Sequence, residues 1–160
     1  MIMFGSNIQS AEDPLIKMQE SEFYRQIVQP EAYVDAKIRH LRIAYQIAPK
    51  QYNDQKRTLP YIVCGIFNPP YRKTENFGYT ECFVLDIDHL SEKGLSIDTI
   101  KNRIRDDERV LMSFTSPSED GIKLMFRLRE RCYDAGLFSV LPERHHSAFR
   151  LLAFRGKRQQ

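Results

Sequence analysis

One stretch determines the predicted fold: Cys82-Phe83-Val84-Leu85-Asp86-Ile87-Asp88-His89-Leu90. Its apolar beginning is typical of a β-strand, in which successive side chains point to opposite faces. Asp86 and Asp88 would then share one face, about 7 Å apart. We expect the opposite face to point toward a core, with Phe83, Leu85 and Ile87 on it.

The two aspartates indicate a metal site. Two like charges at this spacing repel each other, and a cation between them removes that cost. Carboxylate oxygens favour Mg²⁺ or Mn²⁺. A strand that ends in a polar turn would carry the same Asp-x-Asp pattern, so the stretch alone leaves both interpretations open.

Length and composition indicate one globular domain. The chain has 160 residues, of which 42% are hydrophobic and 28% charged, which is ordinary for a folded protein. No apolar run approaches the roughly 20 residues of a membrane helix, and the start lacks the basic and apolar regions of a secretory signal. We therefore expect a cytoplasmic protein without a membrane partner.

The three cysteines, Cys64, Cys82 and Cys132, lie far apart in the sequence. An odd number without a Cys-x-x-Cys pair argues against a zinc site and against a disulfide framework. We expect reduced, mostly buried side chains.

Periodicity and turn residues predict the remaining elements. Residues 1–30 are interpreted as an N-terminal lead-in, residues 31–48 as a helix that ends at Pro49, and residues 50–58 as a polar loop. Strands are expected at 60–67, 109–115 and 121–128, a short helix around Ile97, Ile100 and Ile104, and a hairpin turn at 116–121. This order predicts an α+β fold, with an antiparallel or mixed sheet and helices on one face.

Two polar segments accompany the aspartates. The hairpin offers the hydroxyls of Ser116 and Ser118, a glycine at Gly121 and the ammonium of Lys123, which together suit a phosphate group. The loop before the aspartate strand carries Arg72-Lys73. An ordinary hairpin with a surface lysine and a solvated loop explain each segment taken alone; the combination with Asp86 and Asp88 favours a metal-phosphate site.

These motifs resemble the archaeo-eukaryotic primase superfamily and, within it, the CRISPR-associated primase-polymerases. The resemblance covers roughly residues 30–138. It is carried by Leu59-Pro60, Arg72-Lys73-Thr74-Glu75-Asn76, Val84 to Leu90, Ser116 to Lys123 and Cys132 to Phe138. It implies that residues 31–138 form part of a primase-polymerase catalytic domain on an RRM-like sheet, incomplete at its C-terminus.

The resemblance also implies a nucleotidyltransferase site. Asp86 and Asp88 would be catalytic and would hold Mg²⁺ or Mn²⁺. Nucleoside triphosphate would be held by the hairpin and the basic loop, through Ser116, Ser118, Gly121, Lys123, Arg72 and Lys73. A DNA, or RNA, template and CRISPR-system proteins are the implied partners. Many family members carry Ser-x-His at the hairpin, and Ser118 stands here in place of that histidine.

The C-terminus departs from the family pattern. A third catalytic carboxylate is expected on a later strand, yet no Asp or Glu follows Glu143. Residues 138–160 carry a net charge of +4, which leaves −1 for the rest of the chain. We interpret residues 139–160 as a divergent basic tail of a truncated or frame-shifted primase-polymerase. His145-His146 lacks the spacing of a helical ligand pair.

Two other functions remain open. The first is a catalytically inactive nucleotide- or nucleic-acid-binding remnant. The second is a phosphatase of the haloacid dehalogenase type, which also ends a strand in Asp-x-Asp. That class has Thr or Val two residues after the second aspartate, where this chain has Leu90, and its strands are parallel.

Overall fold

A computed structural model describes residues 1–136 and 149–150. Its helices are α1 (Glu20–Val28), α2 (Ala32–Ile47), α3 (Pro49–Lys56) and α4 (Ile97–Ile104). Its strands are β1 (Ile2–Gly5), β2 (Ile16–Met18), β3 (Tyr61–Val63), β4 (Gly65–Phe67), β5 (Phe77–Ile87), β6 (Val110–Thr115), β7 (Ile122–Cys132) and β8 (Phe149–Arg150). The predicted α+β class is confirmed.

The strands form two antiparallel sheets. The first has the order β2-β1-β3-β8 and the second the order β4-β5-β7-β6. The aspartate strand β5 is central in the second sheet, between β4 and β7, and pairs antiparallel with both. The end of β5 lies beside the start of β7, next to the turn that joins β6 and β7.

Helices cover both faces of the second sheet, rather than one as expected. On one face, α1, α2 and α3 contribute Phe23, Ile38, Leu41 and Tyr52 to a core with Val84, Phe114 and Met125. On the other face, Ile100 of α4 packs with Leu90, Ile122 and Leu124. Both faces of the β5–β7 pair are therefore buried near the hairpin end.

Both faces of β5 pack against a core, and the face that the sequence predicted to do so packs, through Leu85 and Ile87, against the smaller one. Thr80, Cys82 and Val84 are buried, and this alternation continues to Asp86. Phe83, Leu85 and Ile87 are only half-buried. The side covered by three helices provides the larger core, which contains Val84, and Asp86 follows Val84 on that face. Leu85 and Ile87 pack against the smaller core under the single helix α4.

Three segments differ from their predicted local structure. Residues 1–30 contain β1, β2 and α1, which are part of the core. The polar segment 50–58 is mostly the helix α3, because proline is well tolerated at a first helical position and Tyr52 anchors the helix in the core. The strand predicted at 60–67 is interrupted at Cys64, and its halves join different sheets.

Two further expectations concern the cysteines and the membrane. All three cysteines are free; Cys64 and Cys82 are buried and Cys132 is half-buried. Within the part of the chain that the structure describes, every helix is too short or too polar to cross a membrane.

Candidate metal and phosphate site

The site is built on the register between β5 and β7. Asp86 lies directly opposite Lys123 in the antiparallel ladder, so both side chains emerge on the same face of the sheet. The Lys123 ammonium donates a hydrogen bond to Asp86 Oδ2 and forms an ion pair with it. The side chain of Lys123 is 8% exposed and that of Asp86 26% exposed, which places the pair at the mouth of the helix-covered core.

The two oxygens of Asp86 differ. Oδ2 is paired with Lys123, whereas the buried Oδ1 finds no hydrogen-bond partner among the described residues. Burial raises the pKa of the Asp86 carboxyl above its usual range; the Lys123 ammonium opposes the rise, the Asp88 carboxylate adds to it, and the Lys56 ammonium opposes it. A buried carboxylate oxygen without a partner is costly, so Asp86 is only partly satisfied by the protein.

Asp88 follows β5 and lies against the hairpin. A Cβ atom added to Gly121 would be 2.5 Å from Asp88 Oδ1, 3.0 Å from the Ile87 carbonyl oxygen and 3.1 Å from Ser116 Oγ. No larger residue fits at this position without displacing those atoms. Gly121 therefore permits the close approach between the Asp88 carboxylate and the hairpin.

The hairpin presents its two serine hydroxyls together. Ser116 Oγ and Ser118 Oγ are 2.8 Å apart and share a hydrogen bond. The backbone N–H of Ser116 donates to the Gly121 carbonyl at 2.8 Å and closes the turn, in which Glu119 has a φ of 61°. Ser116 is buried and Ser118 is half-buried, so Ser118 is the more accessible of the two.

The structure thus brings together six of the eight site residues that the sequence predicted. These six residues lie at the end of β5, at the start of β7 and in the turn between β6 and β7. They are Asp86, Asp88, Ser116, Ser118, Gly121 and Lys123. Carboxylate oxygens, hydroxyls and one ammonium within one cluster provide oxygen ligands for a hard cation and hydrogen-bond donors for phosphate.

Arg72 and Lys73 make their contacts elsewhere. The Arg72 guanidinium donates to the Ile8 carbonyl at 2.7 Å and lies 5.2 Å over the Tyr61 ring. The Lys73 ammonium pairs with Glu12 at 3.3 Å. Both residues are engaged by the N-terminal segment and by β3, and the structure does not bring them to the aspartate cluster. The sequence placed Arg72 and Lys73 in the site because their loop precedes β5, but spacing along the chain does not give the distance from a loop to a sheet.

Helix α2 supplies contacts that sequence reasoning missed. The Arg42 guanidinium pairs with Glu119 at 3.1 Å, and the Tyr45 hydroxyl donates to Asp120 Oδ2 at 3.3 Å. Burial raises the pKa of Tyr45, and the Asp120 carboxylate adds to the rise. The sequence predicted a helix over residues 31–48, and helical periodicity does not point to a turn about 75 residues away.

The fit to a divalent cation rests on two carboxylates. Asp86 offers an unpaired oxygen and Asp88 an exposed carboxylate beside the hairpin, and both are hard oxygen donors suited to Mg²⁺ or Mn²⁺. Within residues 1–136 and 149–150, no set of three or more His, Cys, Asp or Glu side chains converges on a metal position. His145, His146 and most of the basic tail lie outside the described residues.

Comparison with known proteins identifies a family. Neither the curated proteins nor the solved structures gave a match to this chain. The family model described as "BT4734-like, N-terminal domain" matches residues 54–146. That match spans more than half of the 160 residues and contains every residue of the aspartate and hairpin cluster. The chain therefore belongs to the BT4734-like N-terminal domain family.

Proposed function

We propose that this chain is a nucleotidyltransferase of the DNA primase-polymerase type that uses a divalent metal and nucleoside triphosphates. The observation that carries the proposal is the register pair Asp86–Lys123 beside Asp88 and the Ser116–Ser118 hydroxyls. An acidic metal position and a phosphate-binding turn are then adjacent, as transfer of a nucleotide requires.

The residues divide into two roles. Asp86 and Asp88 would hold Mg²⁺ or Mn²⁺, which when bound neutralises phosphate charge and lowers the pKa of an attacking hydroxyl. The hydroxyls of Ser116 and Ser118, which share a hydrogen bond with each other, would donate to phosphate oxygens. Gly121 allows the Asp88 carboxylate to lie close against the hairpin, and the Lys123 ammonium adds positive charge on the face that carries Asp86.

The implied partners follow from the resemblance to primase-polymerases. A DNA or RNA template and CRISPR-system proteins are therefore part of this proposal, and a cytoplasmic location agrees with it. Support from the described residues is confined to the metal and triphosphate positions, because the contacts of Arg72 and Lys73 are with the N-terminal segment.

A second candidate is a nucleotide-binding domain without catalytic activity. It is favoured by one observation: within the described residues no set of three or more His, Cys, Asp or Glu side chains converges, whereas the resemblance implies a third catalytic carboxylate. A phosphatase of the haloacid dehalogenase type has less support, because β5 has antiparallel neighbours on both sides, whereas that class carries its aspartates on a parallel sheet.

Titration calorimetry on the whole chain tests the binding part of the proposal. ATP should bind in the presence of Mn²⁺ and bind at least tenfold more weakly in chelator, because a bound cation offsets the repulsion between carboxylates and phosphates. Asp86→Asn should remove that dependence. Asp106→Asn, at an exposed turn, is the matched control and should behave as the unmodified chain. ATP affinity that is equal with Mn²⁺ and with chelator would contradict the site.

Extension of a labelled primer on a DNA or RNA template separates the two candidates. Extension by the whole chain with Mn²⁺, lost in Asp86→Asn and kept in Asp106→Asn, is the result expected of a nucleotidyltransferase. Mn²⁺-dependent ATP binding without extension would support the inactive binding domain.

A further inference from the structure

Asp120 joins three parts of the candidate site. It lies in the hairpin between Ser118 and Gly121. Asp120 Oδ1 accepts a hydrogen bond from the Ser91 backbone N–H at 2.8 Å, and Oδ2 accepts one from the Tyr45 hydroxyl at 3.3 Å. The Asp120 carbonyl accepts from the Leu90 N–H at 3.0 Å. One residue therefore links the hairpin, the loop after β5 and helix α2.

These bonds restrict the position of Asp88. The chain before Asp88 is held in the β5–β7 ladder up to Ile87, and His89 then turns sharply with a φ of 57°. Leu90 is 1% exposed and its N–H is bound by Asp120. Asp88 therefore lies over Gly121 between Ile87, which is held in the ladder, and Leu90, whose N–H donates to the Asp120 carbonyl. The Lys93 ammonium also donates to the Asp88 carbonyl at 2.8 Å, and the Asp120 side chain fixes the next residue, Ser91.

Both carboxylate oxygens of Asp120 are already engaged. The hydrogen bond from the Ser91 N–H lowers the pKa of Asp120, so the group is ionised and acts only as an acceptor at neutral pH. Ligation of a metal by Asp120 would require the loss of its bonds to Ser91 or Tyr45. The geometry therefore favours a role in holding the loops rather than a role as ligand.

We infer that Asp120, oriented by Tyr45, is a positioning residue of the metal and triphosphate site, because its hydrogen bonds hold Asp88 against the Ser116–Lys123 hairpin. The inference rests on the proposed function, since it assigns the part that these residues have in that same site. It also explains why α2, which carries no recognisable motif, packs its Tyr45 hydroxyl against a hairpin turn.

Three variants on the whole chain separate positioning from ligation. Asp120→Ala removes both side-chain bonds and keeps the carbonyl. Asp120→Asn keeps an oxygen for the Ser91 N–H and offers an N–H to the Tyr45 hydroxyl. Tyr45→Phe removes one bond only. Asp107→Ala is the matched control, because Asp107 also accepts a backbone N–H bond in a turn, from Arg109 at 3.1 Å, but at the other end of β6.

Mn²⁺ and ATP are titrated by calorimetry, separately and together, and the melting temperature of each variant is recorded. Asp120→Ala should weaken Mn²⁺ binding by about tenfold or more, because the loop that carries Asp88 loses hydrogen bonds to a charged group. It should also largely abolish the effect of Mn²⁺ and ATP on each other's affinity. Tyr45→Phe should show a smaller loss of the same kind, and Asp120→Asn should restore most of the binding. Asp107→Ala should keep both ligands bound as in the unmodified chain.

Two outcomes would overturn the inference while the proposed function stands. If Asp120→Ala binds both ligands as the unmodified chain does, Asp120 has only a structural role. If Asp120→Asn loses Mn²⁺ as completely as Asp86→Asn, then Asp120 is a ligand and not a positioning residue. Failure of the unmodified chain to bind ATP in a Mn²⁺-dependent way would overturn the proposed function and this inference together.

Discussion

Two largely buried aspartates, Asp13 and Asp86, differ in how completely the protein satisfies them. Asp13 accepts hydrogen bonds from the backbone N–H groups of Ser6 and Asn7 at 2.8 and 2.9 Å and from the Ser6 hydroxyl at 3.0 Å. Asp86 has one ion pair, and its second oxygen finds no partner among the described residues. Asp13 has the surroundings of a structural carboxylate, and Asp86 those of a carboxylate that still has ligand capacity.

Their pKa values shift in opposite directions. Burial opposes the shift at Asp13, but the hydrogen bonds from Asn7 and Ser6 lower its pKa. Burial raises the pKa of Asp86 despite the Lys123 ammonium. Folding therefore favours the charged form of Asp13 and disfavours the charged form of Asp86. The first shift is typical of a stabilising carboxylate, and the second is typical of a carboxylate at a functional site.

The largest loss of stability is expected at Asp13. Asp13→Ala leaves the N–H groups of Ser6 and Asn7 without their acceptor in a segment that packs against Tyr61, and should lower the free energy of unfolding by about 3 kcal/mol. Urea unfolding of the variant and of the unmodified chain measures this. If Asp13→Ala lowers the free energy of unfolding by less than Asp106→Ala does, the hydrogen bonds of Asp13 to Ser6 and Asn7 do not stabilise the fold.

A smaller loss of stability, which Mn²⁺ should offset, is expected on substitution of Lys123. Lys123→Met leaves the Asp86 carboxylate without its counter-charge and should lower the free energy of unfolding by about 2 kcal/mol, since Asp86 remains partly exposed. Because the competing ammonium is gone, Mn²⁺ should stabilise Lys123→Met more than it stabilises the unmodified chain. Thermal unfolding with and without Mn²⁺ provides the comparison, and Lys50→Met, at an exposed position of α3, is the control.

If Mn²⁺ raises the melting temperature of Lys123→Met by no more than that of Lys50→Met, the ion does not occupy the position beside Asp86. The difference between the two aspartates would then reflect packing alone.

The pH dependence of stability should separate the two aspartates. Asp13 has a lowered folded pKa, so its contribution is present above the unfolded value of about 4 and is lost as pH falls through the folded value. Asp86 has a raised folded pKa, so its contribution is present below about pH 4 and is lost as pH rises through the folded value. Asp13→Asn should reduce the slope of the free energy of unfolding against pH below about pH 4. Asp86→Asn should reduce that slope above about pH 4.

Urea unfolding between pH 3 and pH 7 checks both slopes. Identical changes of slope in the two variants would mean that the environments of Asp13 and Asp86 do not differ as described.

The smallest effect is expected at Arg72. Its guanidinium stacks on Tyr61 beside the Asp13 cluster, so Arg72→Ala should cost less than about 1 kcal/mol of stability and should leave Mn²⁺-dependent ATP binding unchanged. Calorimetry of Arg72→Ala beside Lys123→Ala tests this. If Arg72→Ala weakens ATP binding as much as Lys123→Ala does, Arg72 contributes to triphosphate binding, as the sequence predicted.

The sequence was informative where local chemistry matches local structure. The apolar run before Asp86, the helical spacing from Val34 to Tyr45 and the turn composition of residues 116–121 each predicted the correct element. The α+β class follows from these elements, and the tight turn at residues 116–121 predicts that β6 and β7 pair. The grouping of Asp86 with Lys123 requires in addition that β5 pairs with β7, and these two strands are not consecutive in the chain.

The remaining features depend on tertiary contacts. Helix α3 looked like a loop because its one core residue, Tyr52, is surrounded by polar side chains in the sequence. The strand around Cys64 looked continuous because nothing local marks the transfer between sheets. Which face of β5 packs against the larger core depends on where three helices pack, and alternation alone identifies two faces without saying which has the larger core.

Locating a bound Mn²⁺ ion by NMR is the most direct test of a metal and triphosphate site where β5 ends and β7 begins. Mn²⁺ broadens the NMR signals of nuclei near it, and Mg²⁺ serves as the diamagnetic reference. The amide signals of Asp88, Ser118 and Gly121 should be lost at low Mn²⁺ occupancy, whereas those of Ser6, Asn7 and Asp13 should persist. Broadening centred on Asp13, or spread evenly over the acidic surface residues, would contradict a metal site at Asp86 and Asp88.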